Sequence, residues 1–418
     1  MQSISPSLRG ILTTTAGRTI RGFAKYTPTV LASLAVLGNV GILARVLPAW
    51  RLPRLSTVAQ QAGELGIMPR LSVIVPARNE AGTIEAALAS MVRQDYPDLE
   101  LILIDDRSTD GTGRIMGRFA REHAAPGRNI RVVTIEELPP GWLGKNHALW
   151  AGARQASGAW LLFTDADIIF APSCFRLAVA YAELSEIDHL TLGPNVTADT
   201  FWLNAFVAFF TYAFMSSQQP HRANDPTSTV GVGLGAFNLL RQTAYETIGT
   251  HAAISLRPDD DVRLGMRVKR SGLRQCFLDG SDLVRVTWYP SLAAATRGLE
   301  KNVFAGIDYS LLQAIGGVTG FLLLTVLPYL AFWRTSGFVR LLFLTAIGTH
   351  SVNFGIANRH KGREVALYLP GLPFAGTFFC FVVARSVWLT LTRRGIRWRD
   401  TYYPLTALRQ QTGLEDIP

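Results

Sequence analysis

Four long apolar runs without a charged residue constrain this 418-residue chain more than any other feature of its sequence. A helix needs about 20 apolar residues to cross a membrane, so the first two runs are long enough and the third is short. We predict a transmembrane helix over 26–47 and a C-terminal membrane domain over 310–392, with two to four helices at about 310–333, 338–358 and 365–392. A cleaved signal peptide is the alternative for the first run, although no clean cleavage site follows it. The runs are Tyr26–Ala44, Ser310–Trp333, Leu341–Asn358 and Val365–Ala384.

The excess of basic residues is found at the two ends of the chain. Residues 1–70 include 8 basic and 1 acidic residue, and 310–418 include 11 basic and 4 acidic, whereas 71–309 include 22 basic and 26 acidic. A nucleic-acid-binding protein is expected to carry its positive charge on a folded domain. Basic segments beside apolar runs instead indicate a membrane partner and no nucleic acid. We assign basic tails to 1–25 and 393–418.

The middle of the chain alternates between strand and helix patterns. Apolar runs typical of buried strands cover 71–76, 99–104, 130–134 and 159–164. Helical patterns, including 111–123 and 146–155, lie between them. This alternation predicts a parallel sheet in a doubly wound α/β domain, which we place at 71–307. The polar stretch Pro220–Ser228 is expected to be a mobile loop.

Three clusters of carboxylates lie at the ends of elements in this domain. Ligands of open α/β sheets gather at the carboxyl ends of strands, and two carboxylates at such a place suit Mg2+ or Mn2+. The alternative is that each cluster only stabilises a helix N-terminus, where negative charge complements the helix dipole. Three clusters in one domain favour a binding site. The clusters are Asp105-Asp106, Asp165 with Asp167, and Asp259-Asp260-Asp261.

Several segments resemble family 2 glycosyltransferases over about residues 71–307, in order and at ordinary spacing. The segments that resemble the family are Leu71-Ser-Val-Ile-Val-Pro-Ala-Arg-Asn-Glu80, Ile104-Asp-Asp-Arg-Ser-Thr-Asp-Gly111, Phe163-Thr-Asp-Ala-Asp167 and Asp260-Asp-Val-Arg-Leu264. Three more look like the membrane-bound subgroup that acts on lipids, such as carotenoid, hopanoid-associated and ceramide glycosyltransferases. They are Leu138–Ala148, Gly235–Gly249 and Arg297–Gly306. The resemblance implies a GT-A type α/β nucleotide-sugar-binding domain flanked by transmembrane helices.

The resemblance also implies that a nucleotide-sugar, usually linked to UDP, binds in the crevice of the sheet. Asp165 and Asp167 would hold Mg2+ or Mn2+ at the diphosphate, where the ion offsets the charge of the leaving group. Lys145 is a candidate phosphate contact, with a solvated lysine at a helix start as the alternative. Arg297 and Lys301 are cations that could meet the diphosphate at the rim of the site. The other donor-binding candidates are Pro76, Arg78, Asn79, Glu80, Asp105 and Asp106.

The third carboxylate cluster would supply the general base. An acceptor hydroxyl must lose its proton as it attacks the anomeric carbon opposite the diphosphate, which inverts the configuration. The family usually has Glu-Asp, then two residues and Leu, at this point. Counting back from Leu264 makes Asp261 the base and Asp260 the equivalent of the glutamate, although three consecutive aspartates leave the register open. Repulsion within the cluster would raise the pKa of one of its carboxyls.

The sequence lacks the Gln-x-x-Arg-Trp segment of the processive polysaccharide synthases, which counts against a long glycan product. The apolar segment Phe201–Phe214 fits an interfacial helix or a lipid-binding wall, with a core helix as the alternative. We therefore expect a metal-dependent, inverting transfer of a sugar to a hydroxyl of a membrane lipid. The alternatives are transfer to a polyprenyl phosphate and a catalytically silent nucleotide-binding membrane protein.

The expected location is a membrane, the inner membrane if the source is bacterial, with the catalytic domain facing the cytoplasm where nucleotide-sugars are made. Three spans after that domain would place the C-terminal tail outside. The arginines of the segment Arg393–Arg399 nevertheless favour the cytoplasm. We expect Val365–Thr392 to enter the membrane and return, broken at Pro370–Pro373, in a region shielded by protein or water. A tail on the outer surface is the alternative.

Overall fold

The computed structural model describes residues 6–63, 65–411 and 414, and its α/β domain contains two sheets. The strands are β1 Leu71–Ala77, β2 Leu99–Asp106, β3 Arg128–Ile135, β4 Trp160–Phe163, β5 Ile169–Phe170, β6 His189–Gly193, β7 Asn195–Thr197, β8 Asn238–Arg241, β9 Gln275–Asp279 and β10 Val284–Thr287. The larger sheet has seven strands in the order β3-β2-β1-β4-β8-β6-β9. The smaller sheet has the order β5-β10-β7.

Helices cover both faces of the larger sheet. They are α2 Leu55–Ala62, α3 Ile84–Val92, α4 Thr112–His123, α5 Gly144–Ala153, α6 Cys174–Leu184, α7 Phe201–Gln218, α8 Gln242–Thr247, α9 Asp260–Arg270 and α10 Leu292–Leu299. Val73 and Val75 of β1 pack into one core, whereas Ile74 packs into the core on the opposite face, because successive side chains of a strand alternate. A strand buried on both faces is apolar throughout, which explains the continuous apolar runs of the sequence.

The direction of one strand differs from the sequence-based prediction. β1 is parallel to β2 and β4, and β2 is parallel to β3, as expected. β8, however, lies antiparallel between β4 and β6. The α/β class is therefore confirmed, whereas the prediction of a wholly parallel sheet is wrong. An apolar run predicts that a strand exists but contains no information about its direction. The chain reaches β8 only after α7, so no short connection fixes the direction of β8.

In the part of the chain that the structure describes, four helices are long and apolar enough to cross a membrane, which confirms the predicted set of one N-terminal and two to four C-terminal helices. The N-terminal one belongs to α1 Pro6–Val46, which a 3-10 turn extends to Arg51. The others involve α11 Leu311–Phe321, a π-helical turn at Leu322–Val326, α12 Leu327–Phe332, α13 Gly337–Ala357 and α14 Leu372–Thr392. The candidate spans are Tyr26–Arg51, Leu311–Phe332, Gly337–Ala357 and Arg359–Thr392.

The C-terminal tail folds back onto the α/β domain. It forms a hairpin of β11 Gly395–Trp398 and β12 Thr401–Pro404, followed by α15 Leu405–Gln410. Arg78, just after β1, donates a hydrogen bond to Asp400 at the tip of the hairpin over 2.7 Å. The backbone N–H of Leu256 donates to the side chain of Gln411 over 2.7 Å. The tail and the α/β domain therefore lie on the same side of any membrane that the helices cross.

The predicted break inside Val365–Thr392 does not produce a helical hairpin. A 3-10 segment, Arg359–Gly371, ends where α14 begins, and α14 then continues for 21 residues. Pro373 falls in the first turn of α14, where a missing N–H leaves no hydrogen bond unmade, so it begins the helix instead of breaking it.

Both ends of α14 are anchored beside the α/β domain. Before its start, Lys361 donates to the carbonyl oxygen of Val196 in β7 over 2.8 Å. Near its end, Ser386 donates to the carbonyl oxygen of Glu300 over 2.6 Å. A helix of this length is about 30 Å long and would carry its two ends to opposite sides if it crossed a membrane. The anchoring therefore favours an α14 that lies along the membrane-facing surface of the domain.

This arrangement predicts which exposed positions share a side of the membrane. Single cysteines introduced by Arg118→Cys in α4 and Arg397→Cys in the tail should both react with a membrane-impermeant maleimide from one face of sealed vesicles. Arg334→Cys, in the connection between α12 and α13, should react only from the other face. The three native cysteines are buried and provide a low background. Labelling of Arg397→Cys together with Arg334→Cys would contradict the fold-back of the tail.

Candidate active site

A cavity of about 1050 Å3 opens where β1, β2 and β4 end. The parallel register places Ala77, the last residue of β1, beside Asp105 of β2. The chain leaves β4 at Phe163, so Asp165 and Asp167 follow directly at the same edge of the sheet. The start of α9 closes the opposite wall. The charged residues that line the cavity include Arg78, Glu80, Asp106, Lys145, Asp165, Asp167, Asp260, Asp261, Lys301 and Arg399.

The predicted donor-binding residues that follow β1 and end β2 fall into two groups, according to whether they line the cavity. Pro76, Arg78, Glu80 and Asp106 line the cavity. The other two, Asn79 and Asp105, bond to the neighbouring turn: the backbone N–H of Thr109 donates to Asn79 over 2.8 Å, and that of Ser108 donates to Asp105 over 3.1 Å. The first group can therefore touch a ligand, while the second fixes the shape of the turn.

Lys145, at the start of α5, joins two of the carboxylate clusters. Its ammonium lies 2.8 Å from Asp165 and 3.5 Å from Asp260. Burial alone would lower the pKa of Lys145, but attraction to these carboxylates raises its pKa well above the ordinary value, so the group stays charged. Gly235 packs against this contact, and a Cβ there would lie 2.6 Å from Oδ2 of Asp165. A side chain at Gly235 would therefore push the ion pair apart.

Asp165 and Asp167 form the part of the site that fits a divalent ion. Both line the cavity, and burial together with repulsion from Asp165 raises the pKa of Asp167 to about 7. A cation beside it would favour its charged form. Within the described residues, no group of three or more His, Cys, Asp or Glu side chains could hold a metal. Two carboxylates do suit Mg2+ or Mn2+ when water and a phosphate complete the shell.

The structure separates the three aspartates that the sequence leaves in one cluster. Asp259 also touches the cavity, but its two carboxylate oxygens are taken up by arginines: they accept hydrogen bonds from Arg257 over 2.8 and 2.9 Å and from Arg263 over 2.9 Å. The side chains of Asp259, Arg257 and Arg263 are all buried. Arg257 and Arg263 also pair with Asp308, just before the first C-terminal membrane helix. Asp259 is thus occupied by structural ion pairs, which leaves Asp260 and Asp261 for chemistry.

Asp260 and Asp261 lie at the start of α9 in a buried environment. Asp261 accepts the backbone N–H of Gly235 over 2.7 Å and that of Val262 over 2.8 Å, one on each carboxylate oxygen. Burial raises the pKa of Asp261, and Lys145 opposes this rise. Burial raises the pKa of Asp260 to about 7. Asp261 is therefore held in a fixed orientation, with a carboxyl that takes up a proton more readily than an exposed aspartate does.

The two predicted cations of the rim differ in position. Lys301 lines the cavity with its ammonium 3.3 Å from the centroid of the Trp398 ring, and burial lowers its pKa to about 7. Arg297 is exposed on α10 and lies outside the lining of the cavity. The structure therefore brings Lys301 to the candidate site but not Arg297.

Comparison with known proteins identifies the family of this chain. The family model described as "Glycosyltransferase like family 2" matches residues 69–304, more than half of the chain. The chain belongs to this family. It is 23% identical over 351 residues to the 4,4'-diaponeurosporenoate glycosyltransferase of Staphylococcus aureus strain bovine RF122 / ET3-1, which covers 80% of this chain and 88% of the relative. The protein of the same name from strain MRSA252 is 22% identical over the same length.

A solved structure agrees with this membership. The mannosyltransferase PcManGT from Pyrobaculum calidifontis, in complex with GDP-Man and Mn2+, is 19% identical to this chain with a TM-score of 0.51. The match covers 86% of this chain and 99% of that one. The similarity confirms the GT-A fold of this glycosyltransferase.

The tail of this glycosyltransferase supplies cavity residues that the sequence did not predict. Trp398, Arg399 and Tyr403 of the hairpin line the cavity near Glu80. Two of them, Trp398 and Arg399, end the basic segment Arg393–Arg399, whose arginines the positive-inside rule explains without any role in the cavity. Arg399 contacts Arg78, which is 321 positions away in the chain, so no local pattern could reveal the contact.

The opposite half of the cavity is apolar. Phe210 and Phe214 of α7, Phe321 of α11 and Phe379 of α14 line it, and α7 packs against α13 and α14 through a buried aromatic core. Phe201–Phe214 is thus part of a longer helix that is both a core element and a wall of the cavity. The stretch Pro220–Ser228 begins with a 3-10 turn, Pro220–Asn224, which Asn224 fastens to the backbone of Phe277 through bonds of 2.6 and 2.9 Å.

The assignment of Asp259 to structure and not to chemistry predicts a specific loss of stability. Asp259→Asn removes the negative charge between two buried arginines, so the free energy of unfolding should fall by about 3–5 kcal/mol. Thermal unfolding of the purified protein in detergent measures the change.

Asp98→Asn is the matched control, because the pair Arg70–Asp98 is about half exposed, with 45% and 43% of the two side chains accessible. An exposed pair contributes about 1 kcal/mol or less, so this variant should unfold close to the wild-type temperature. Equal unfolding temperatures for Asp259→Asn and Asp98→Asn would show that the buried arginine cluster is not essential to the fold.

Proposed function

We propose that this glycosyltransferase moves a sugar from a nucleotide-sugar, such as a UDP-linked hexose, to a hydroxyl of a membrane lipid, with inversion at the anomeric carbon. The observation that carries the proposal is the cavity itself. It joins the carboxylates at the ends of β2 and β4 to the apolar faces of α7, α11 and α14 without a wall between them. One space of this kind accommodates a charged donor and an apolar acceptor together.

The apolar half supports the lipid acceptor. Its aromatic residues lie on helices long and apolar enough to be in a membrane or packed against such helices. A water-soluble acceptor would gain little from an apolar wall, whereas an alkyl or polyene chain would be removed from water by it. The carotenoid-associated relative supports the same class of acceptor. The acceptor hydroxyl would then reach the carboxylates from the membrane side.

The donor half supports a nucleotide-sugar. Asp106 and Glu80 offer carboxylates able to accept hydrogen bonds from a base or a ribose, and Arg78 is positioned next to them. Lys145 provides positive charge at the cavity, and a bound diphosphate would favour the charged form of Lys301, which lines the same cavity. The neighbour determined with GDP-Man supports a donor of this class, with either UDP or GDP as the nucleotide.

Asp165 and Asp167 would hold Mg2+ or Mn2+ in this protein, which the Mn2+ of the GT-A neighbour supports. Such an ion supplies Lewis-acid stabilisation of the leaving diphosphate. Lys145 would keep Asp165 oriented toward the same place, because the two groups are 2.8 Å apart. The negative charge of the donor would then be met on one side by the ion and on the other by ammonium groups.

Asp261 would be the general base. Its carboxylate faces the cavity and would take the proton of the acceptor hydroxyl as that oxygen attacks the anomeric carbon. The N–H groups of Gly235 and Val262 hold the carboxylate in place, and its raised pKa makes it a stronger base than an exposed aspartate. Asp260, bound to Lys145, would set the electrostatic potential around the base. Nucleotide-sugars are made in the cytosol, so we place this domain on the cytoplasmic side.

The test is transfer of radiolabel from UDP-sugars and GDP-sugars to a total membrane lipid extract by the purified protein, with Mn2+ or with a chelator. A labelled lipid should appear, disappear with chelator, and fall to background for Asp167→Asn, whose fold should remain intact. An Asp167→Asn variant that remains active, with a transfer rate that the chelator does not change, would refute the metal site. Nucleotide binding without a lipid product from any donor would favour the silent binder.

Asp261→Asn separates a hydroxyl acceptor from a phosphate acceptor. A hydroxyl must be deprotonated, so the turnover rate should fall by about 10²–10⁴-fold. A polyprenyl phosphate is already an anion, and its glycosylation would lose far less. Initial rates with saturating donor measure the effect, and Asp199→Asn, an exposed carboxylate outside the cavity, is the matched control. Near wild-type rates for Asp261→Asn would move the assignment to the phosphate acceptor.

A further inference from the structure

The tip of the C-terminal hairpin lies on the donor side of the cavity. Trp398 pairs with Thr401, so the turn between β11 and β12 consists of Arg399 and Asp400 alone. The Arg399 guanidinium donates to the carbonyl oxygen of Arg78 and lies 3.5 Å from the carboxylate of Glu80. Residues that are 321 positions apart in the chain are thus in direct contact at the cavity.

Arg399 adopts a backbone conformation that a side chain disfavours. Its φ is +53°, in the left-handed region where glycine is the preferred residue of a two-residue hairpin turn. Non-glycine residues held in this region are concentrated at functional sites, where the side chain is needed despite its cost. Nine of the described non-glycine residues have a positive φ, so the conformation of Arg399 supports a role for its guanidinium only together with its contacts at the cavity.

The neighbours of Arg399 form an incomplete site for an anion. The Lys301 ammonium lies over the ring of Trp398, which precedes Arg399 in the chain, and all three residues line the cavity. The contact with Glu80 is long, and the Arg399 side chain is 36% exposed, so this ion pair is weak. Within the described residues, the buried Nε–H of Arg78 has no hydrogen-bond partner. Beside this unpartnered donor, the Arg399 guanidinium is held by one backbone carbonyl and by the weak ion pair, which leaves N–H groups for an anion in the cavity.

We propose that Arg399 binds the diphosphate of the nucleotide-sugar, so that the C-terminal hairpin completes the donor site of the α/β domain. The inference rests on the proposed function, because it assumes a nucleotide-sugar in this cavity. A guanidinium matches the spacing of phosphate oxygens with two parallel N–H groups, which a lysine cannot do. The diphosphate would replace the weak contact to Glu80, while the bond to the carbonyl of Arg78 would keep the guanidinium oriented.

Isothermal titration of the full-length protein with UDP and with GDP, in the presence of Mn2+, tests the inference. Arg399→Gln should raise the dissociation constant of the nucleoside diphosphate that wild type binds by about tenfold to a hundredfold. Arg397→Gln is the matched control, because Arg397 lies on the same hairpin, is exposed and is not part of the cavity lining. Its dissociation constant should equal that of wild type.

Arg399→Gly is the second variant, since glycine removes the guanidinium and is compatible with the positive φ of the turn. It should weaken binding as much as Arg399→Gln, with an unfolding temperature no lower than that of wild type. If wild type binds a nucleoside diphosphate and both Arg399 variants bind it equally well or more tightly, the hairpin only packs against the site or obstructs it, and the inference is wrong. If wild type binds neither UDP nor GDP, the proposed function itself fails.

Discussion

The contact of Lys145 with Asp165 and Asp260 is the interaction on which the rest of the site depends. It joins the end of β4 to the start of α9 across the floor of the cavity. Without a cation between them, buried carboxylates from two elements would repel each other, and either their protonation or separation of the two walls would follow. The contact is possible because position 235 is a glycine, where a Cβ would also approach Nζ of Lys145 to 3.3 Å. One ammonium and one missing side chain thus set the width of the cavity.

Burial of the carboxylates costs free energy, but it also raises their pKa values and so makes them better proton acceptors. Apolar helices close the cavity on the membrane side, so the charged groups experience a lower dielectric constant than they would on an open surface. Burial is the largest cause of the raised pKa values of Asp167, Asp260 and Asp261. The apolar helices therefore have two effects. They form a surface that an apolar acceptor can contact, and they exclude water from the carboxylates, which raises the pKa values of those groups.

The sequence was informative where the determinants are local and uninformative where they are distant. Carboxylates directly after apolar runs predicted the positions of Asp165 and Asp167, because the end of a strand is visible in a few residues. Counting back from Leu264 selected Asp261 over Asp259, but the structural role of Asp259 was not predictable, since it depends on Arg257 and Arg263 being folded around that aspartate. The antiparallel direction of β8 and the docking of the tail depend on contacts between distant parts of the chain, which no local pattern contains.

The arginines of the tail show how one charge pattern can have two physical explanations. Basic residues after an apolar helix agree with the positive-inside rule, and the fold-back of the tail satisfies that rule if the α/β domain is cytoplasmic. A topology signal, however, requires only that the charges lie near the membrane, whereas Arg399 has a fixed partner and a disfavoured backbone conformation. Arg397, two residues earlier on the same hairpin, is exposed and outside the cavity lining. Because both residues contribute equally to the net charge, only their contacts distinguish a residue that orients the chain from one that can bind its substrate.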